Sequence, residues 1–362
     1  MTDPGGAFWS ATDADSEGEE GTFFVWTTRQ LADVLGEEDG ERAAALLGAT
    51  ATGNFEGKNV LSLSRVPTED ERAFLRRIRP PLYDARAKRP PPLTDRKVLT
   101  SWNGLTISAF ARAGLALSRP EFTERAARAA DYLLRVHRAS GRLSRSSMDG
   151  VARHAGLLED HAFLAAGLVD LFEATGELRW LDQARALHDD LEARFADRDN
   201  GGYFRTPSDG EELLAREKPG YDGAEPTGNS VAALTLLRLE AITGEARYRE
   251  AAERVLRCFG AILAGAPGAL GEMLLAVDFA LAEVKEIVLV RPRGKDDAPL
   301  LDVLRPRFLP HSVLVRAEEG ATAPALGRDR PAAGGRVTAY VCRGGACQLP
   351  VTDPAELAKM LV

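Results

Sequence analysis

Three stretches set carboxylates, amides and an indole at the start of apolar runs: SWNGL (residues 101–105), LLEDHAFL (157–164) and AEPTGNSVAAL (224–234). Glu159, Asp160 and Glu225 are candidate acids or bases, because paired carboxylates near a helix start suit proton transfer. Trp102 offers a flat apolar face, and Asn103, Asn229, His161 and Asp222 offer hydrogen bonds to hydroxyls. Glu56, in the glycine-flanked loop GNFEGKN, reads as a surface turn or as a further pocket acid. Together these residues suit a small polyhydroxylated ligand. The competing reading is that they are helix caps and nothing more, since Thr, Asn, Ser and Asp also satisfy free N–H groups at a helix start. Two adjacent acids, Glu159 and Asp160, exceed what capping needs.

The elements that must position these groups form an internal repeat. Phe122, Trp180 and Tyr248 fall in register, as do Ala126, Ala184 and Ala252. The same alignment sets Ser101, Glu159 and Thr227 together, then Trp102, Asp160 and Gly228, then Asn103, His161 and Asn229. Each repeat reads as a helical hairpin. Its first helix (105–117, 163–174, 231–242) is apolar on most sides and is expected to be buried; its second is amphipathic. A buried inner layer and an amphipathic outer layer are what an α/α toroid or solenoid requires. Between the helices, turns at Asp149-Gly150 and Asp209-Gly210 predict rim β-hairpins. After residue 283 the pattern changes to two strands (286–290 and 312–317) flanking a short helix, then a β-hairpin and a closing helix. The expected organisation is a helical domain over 1–283 and a small α/β subdomain over 284–362.

Composition narrows the function. The 362 residues are 44% hydrophobic and 28% charged, with a net charge of -8, so no basic face for nucleic acid is implied. The Arg-rich stretch 76–92 is broken by prolines and reads as a helix end plus linker. No apolar run reaches the roughly 18 residues of a membrane span, and no secretory signal opens the chain. Three cysteines are consistent with a reducing cytoplasm. Cys342 and Cys347 flank Gly344-Gly345, and a two-residue turn would set them opposite each other on adjacent strands. Two reduced thiols are expected there, with a reducible disulfide as the alternative and a redox role as a candidate. No metal site is expected. Asp13, Asp15, Glu17 and Gly18 begin like a calcium loop, but the twelfth position is Phe24. His154 and His161 lack a third ligand at zinc spacing. No phosphate-cradling glycine loop or GxSxG motif occurs, and no cofactor is expected.

Taken in order, GAFWSATDADSEGEEGTFFVWT, GNFEGKNVL, DRKVLTSWNGL, LLEDHAFL, YDGAEPTGNSVAAL and AYVCRGGACQLPV resemble the thioredoxin-domain-containing family related to spermatogenesis-associated protein 20. The resemblance covers the whole chain. It implies part of an (α/α)6 toroid of the six-hairpin glycosidase and N-acylglucosamine 2-epimerase type, without the family's thioredoxin-like domain and without the first hairpins. His161 stands where the family usually has Tyr, which removes that hydroxyl. The resemblance implies a carbohydrate-like ligand at the level of fold alone. Two functions are expected from different classes: sugar binding or processing at the rim, by epimerisation or hydrolysis, or a scaffold partnering a thioredoxin-like module or another protein.

Overall fold

Residues that are apolar all round the helix occupy the middle of the fold. The computed structural model describes residues 1–361, and the chain divides into two units. One unit comprises Met1 and Ser10–Arg96; the other comprises Thr2–Trp9 and the chain from Lys97 onward.

The first unit holds α1 (Thr28–Leu35), α2 (Glu37–Leu46) and α3 (Glu69–Ala87), with the short strand pairs β1 (Ala11–Thr12) with β4 (Thr94–Asp95) and β2 (Asp15–Ser16) with β3 (Glu19–Glu20). Capping boxes start α1 at Thr27/Gln30 and α3 at Thr68/Glu71. Helix α3 runs through Pro80-Pro81, where the sequence predicts a helix end; both prolines are exposed, and the helix continues past them to Ala87. The acidic segment 13–20 is the β2–β3 turn, with Glu17 and Gly18 at φ 57° and 83°, as a tight hairpin requires.

The second unit pairs inner and outer helices: α4 (Thr100–Ala116) with α5 (Pro120–Val136), α6 (Leu158–Thr175) with α7 (Leu178–Arg194), and α8 (Gly228–Thr243) with α9 (Ala246–Cys258). The inner helices pack side by side in the order α4, α6, α8. After the short α10 (Gly260–Gly265), α11 (Gly271–Leu281) adds a fourth inner helix beside α8. The expected fold is therefore present: mainly α, an arc of α/α hairpins forming part of a toroid. Most side chains of α6 and α8 are buried, as expected, but α4 buries only one face and leaves Trp102 and Leu105 exposed, where the sequence predicts a buried helix; α5 and α9 also bury one face. Helices α4 and α6 touch backbone to backbone. A Cβ at Gly104 would lie 2.5 Å from the carbonyl carbon of Phe163, and one at Gly167 would lie 2.5 Å from the Gly104 oxygen.

Strands β5 (Val98–Leu99), β6 (Ser144–Met148) and β7 (Val151–Ala155) form a rim sheet, turning at Asp149-Gly150 as expected. The second predicted hairpin does not form. Around Asp209-Gly210 no ladder is present among the described residues. Pro207 removes a donor there, and Asp209 pairs with Arg142 and Arg194 instead. The C-terminal region is a four-stranded sheet in the order β11-β10-β8-β9, from β8 (Lys285–Arg291), β9 (Ser312–Glu318), β10 (Thr338–Arg343) and β11 (Ala346–Cys347). Strand β9 is parallel to β8 and β10 antiparallel, with α12 (Ala298–Leu304) in the crossover and α13 (Pro354–Met360) closing the chain. Cys342 and Cys347 stand opposite each other, as the turn predicts, but their sulfurs are bonded where free thiols were expected.

Candidate functional site

The inner helices begin three to five residues earlier than their apolar runs, so Trp102, Asn103, Glu159, Asp160, His161 and Asn229 occupy first helical turns, whereas Asp222 and Glu225 stay in the segment before α8. Peptide N–H groups are unpaired in a first turn, and several candidates answer them. Asp160, 1% exposed, accepts from Leu157 N at 2.8 Å and from Ser101 N at 3.1 Å. It thus caps its own helix and the neighbouring α4. Burial pushes its carboxyl up to about 7, against the pull of those two amides. Asp222 accepts from Thr227 N (2.7 Å), Ser230 Oγ (3.2 Å) and Glu272 N (2.9 Å), joining the starts of α8 and α11.

The two asparagines do the same job in different hairpins. Asn103 Oδ1 accepts from Phe8 N at 2.8 Å, while its Nδ2 donates to Phe8 O and Leu99 O, both at 2.9 Å. Asn229 Oδ1 accepts from Tyr203 N at 2.8 Å and its Nδ2 donates to Tyr203 O at 2.9 Å. Each amide clamps the backbone of an aromatic residue two positions after a glycine at positive φ, Gly6 or Gly201. Those glycines lie against Arg128 of α5 and Arg254 of α9, and these two arginines are separated along the chain by the same interval as Asn103 and Asn229. His161, at the equivalent place in the middle hairpin, is wholly buried. Its Nδ1 donates to Leu157 O at 2.8 Å and its ring packs 4.9 Å from Phe195. Burial holds its imidazole down at about 4, so it is neutral.

What stays open at the rim is a different set. Trp102 is 44% exposed, and its Nε1 donates to Glu225 Oε2 at 3.0 Å, linking the first and third hairpins. Glu225 itself is exposed. Glu159 sits beside the α8 start, where a Cβ on Gly228 would come within 3.1 Å of its nitrogen. Its carboxylate, 12% exposed, receives Arg205 at 3.2 Å and Arg145 at 3.5 Å, and Arg205 continues to Glu217 at 3.5 Å. The arginines escaped the sequence reading because Arg145 lies in strand β6 and Arg205 in an irregular segment, neither in the aligned helix starts. Deeper among the inner helices, Ser108, Asp170, Glu173 and Arg238 form a second polar cluster, with Arg238 at 2.7 Å from Asp170 and 3.1 Å from Glu173. Its signal is an arginine and two acids inside otherwise apolar helices.

Glu56 lies in the other unit, exposed at φ 46° in a turn closed by Asn54, Phe55 and Lys58. Among the described residues no cluster of three or more His, Cys, Asp or Glu side chains could hold a metal ion, and no helix is long and apolar enough to cross a membrane.

No protein-family model matches the chain. Solved structures match part of the chain at low similarity. A cellobiose 2-epimerase from Spirochaeta thermophila is 24% identical with a TM-score of 0.39, over 47% of this chain and 43% of that one. A family 76 glycoside hydrolase from Bacteroides thetaiotaomicron is 12% identical with a TM-score of 0.39, over 70% and 51%. Likeness of this degree assigns neither substrate nor reaction. The sequence relatives are nearer. Spermatogenesis-associated protein 20 from Homo sapiens is 34% identical over 98% of this chain and 52% of its own length; its counterpart from Rattus norvegicus gives the same figures. An uncharacterized protein of Caenorhabditis elegans is 27% identical over 98% of this chain and 54% of its own length. The chain spans about half the length of the curated relatives it matches, and over essentially all of its own length it is similar to spermatogenesis-associated protein 20.

Proposed function

We propose that this chain binds a carbohydrate-like, polyhydroxylated ligand at the inner-helix rim, against Trp102. The observation that carries this reading is the indole itself: large, 44% exposed and oriented by its bond to Glu225. An exposed indole held in one orientation costs little further entropy on binding and offers an apolar face to a sugar ring. On the neighbouring inner helix, Glu159 supplies acceptors and its ion-pair partners Arg145 and Arg205 supply donors. In this reading Asn103, Asn229, Asp160 and Asp222 build the rim, and Trp102, Glu225 and Glu159 meet the ligand. Any proton transfer, whether for epimerisation or hydrolysis, falls to Glu159 and Glu225, since both oxygens of Asp160 are already engaged by peptide amides.

A second reading is favoured by those same engaged groups. With two amides and two carboxylates of the rim bonded to backbone, the hairpins also suit a non-catalytic scaffold for a thioredoxin-like module or another protein. A thermal-shift screen of monosaccharides, amino sugars and short disaccharides separates the two. The sugar reading expects one class to raise the melting temperature in a concentration-dependent way. It also expects Trp102→Ala and Glu159→Gln to abolish that rise while still melting cooperatively. A transition that no sugar moves turns the assignment to the scaffold.

A further inference from the structure

The β10–β11 hairpin carries chemistry that the rim does not use. Cys342 and Cys347 face each other across adjacent antiparallel strands and are joined by a disulfide. The two sulfurs are unequal in access. Cys342 is fully buried on an inner strand, whereas Cys347 is exposed on the edge strand. A molecule arriving from solvent therefore meets Cys347.

Arg330 is set against that sulfur. Both terminal nitrogens of its guanidinium lie 3.3 Å from Cys347 Sγ. The side chain is fixed there, its Nε donating to Leu326 O at 2.6 Å and its guanidinium packed 5.0 Å over the Tyr340 ring. The charge of Arg330 also reaches the Glu286 carboxylate, which stands opposite Cys342 on β8 and lines the same cavity, but the group in contact with the guanidinium is Cys347 Sγ, so the cation gains a contact anion once that sulfur becomes a thiolate. Cys347, Arg330 and the Gly344-Gly345 turn also line a surface cavity of about 480 Å³, which leaves room for a second sulfur-bearing group.

We propose that Cys342–Cys347 is a thiol–disulfide exchange site, with Cys347 as the exchanging sulfur, Arg330 as the residue that holds its thiolate, and a dithiol as co-reactant. A thiolate of the dithiol attacks Cys347 Sγ. A mixed disulfide forms, the Cys342–Cys347 bond breaks, and Cys342 leaves as a thiolate that takes up a proton. The second thiol of the dithiol loses its proton and attacks its own molecule's sulfur in the mixed disulfide. Cys347 is then released as a thiolate beside Arg330, the dithiol leaves as a disulfide, and two electrons have passed to the protein. In reverse, the Cys347 thiolate attacks an external disulfide and Cys342 resolves the intermediate.

The test uses the folded full chain and dithiothreitol. Cysteine states are read by alkylation and peptide mass spectrometry, and the reduced protein is then alkylated with iodoacetamide from pH 5 to 10. Aerobically purified protein is expected to carry the bond, and dithiothreitol to open it without denaturant. Cys347 is expected to react with a thiolate profile at least about one pH unit below the ordinary thiol value of about 8.5. Arg330→Ala is expected to return that profile to the ordinary value and slow alkylation at pH 7 about tenfold, with Cys258 as an unchanged internal control. Should Arg330→Ala not fold, Arg330→Gln removes the charge with less loss of packing, and Arg330→Lys should keep part of the effect. Free thiols in the purified protein, a bond that opens only on unfolding, or a Cys347 profile indifferent to the charge at 330 would each overturn the assignment.

Discussion

The first and third hairpins differ from the second at one position, and the difference separates construction from recognition. Asn103 and Asn229 each reach out of a first turn to clamp an extended aromatic residue, Phe8 or Tyr203. The second hairpin has His161 there, turned inward to its own helix and Phe195. Its approach is different too, because the β6–β7 ribbon before it pairs with itself and with β5, leaving no lone segment to be clamped. The cross-link passes one residue earlier, to Asp160, which reaches the Ser101 amide on α4. Equivalent positions in a repeat therefore carry polar residues for architecture, and a ligand role has to be sought in residues the architecture leaves open.

The clamp is where this comparison breaks most visibly. Asn229→Ala removes two hydrogen bonds and leaves the Tyr203 N–H and C=O unpaired in a buried setting. Orphaned buried groups cost about 1–3 kcal/mol each, partly relieved by relaxation, so a loss of about 3 kcal/mol is expected in urea denaturation. Asn103→Ala should cost slightly less, because Phe8 is only partly buried and water can reach its peptide groups. A loss below about 1 kcal/mol for Asn229→Ala would mean that the clamp is not what holds the rim.

The hairpin repeat was legible because Phe122, Trp180 and Tyr248, with their alanines, keep helical register, and burial imposes that register directly on side chains. The C-terminal strands were legible from short apolar runs, and the Cys342–Cys347 register from the two-residue Gly344-Gly345 turn. Three things were not. The fourth inner helix, α11, follows an irregular link and has no aligned capping motif. The hairpin at Asp209-Gly210 failed because a turn signal does not supply two strands to flank it. Within the candidate site, residue type could not say whether Asn103 faces a ligand or a peptide group, because both need the same donors and acceptors. Exposure decides that, and exposure is a property of the packed fold.

A titration sharpens the contrast at the middle hairpin. Asn103 and Asn229 carry no charge at any pH, whereas His161 is held at about 4, well below the usual histidine value of about 6.5. Its folded form resists protonation more than its unfolded form. Stability from the neutral ring is thus fully present above pH 6.5 and is lost as pH falls towards 4. At pH 5 the loss amounts to about 2 kcal/mol relative to pH 7. Buried His137 and His188 are depressed in the same direction, so the wild-type curve alone does not isolate His161. Paired denaturation curves do. His161→Gln should be less stable than wild type at pH 7, and that gap should shrink by about 2 kcal/mol at pH 5. A gap that stays constant would mean that the ring protonates without penalty.

The smallest effect on stability is expected where the proposed recognition lies. Glu225→Gln keeps an oxygen to accept from the Trp102 indole N–H and removes only a charge on an exposed residue. Substitutions of that kind fall within about 0.5 kcal/mol, far below the clamp variants. Binding should respond in the opposite order. Asn229→Ala weakens a ligand only as far as it loosens the rim, whereas Glu225→Gln alters a group placed to meet the ligand directly. Measured side by side, melting temperature and ligand-induced shift should rank the two variants oppositely. If Glu225→Gln lowers the melting temperature as much as Asn229→Ala, then the Trp102–Glu225 bond is another structural tie between hairpins. The rim would then keep only the exposed Trp102 ring face, Glu159 and its two arginines for a ligand.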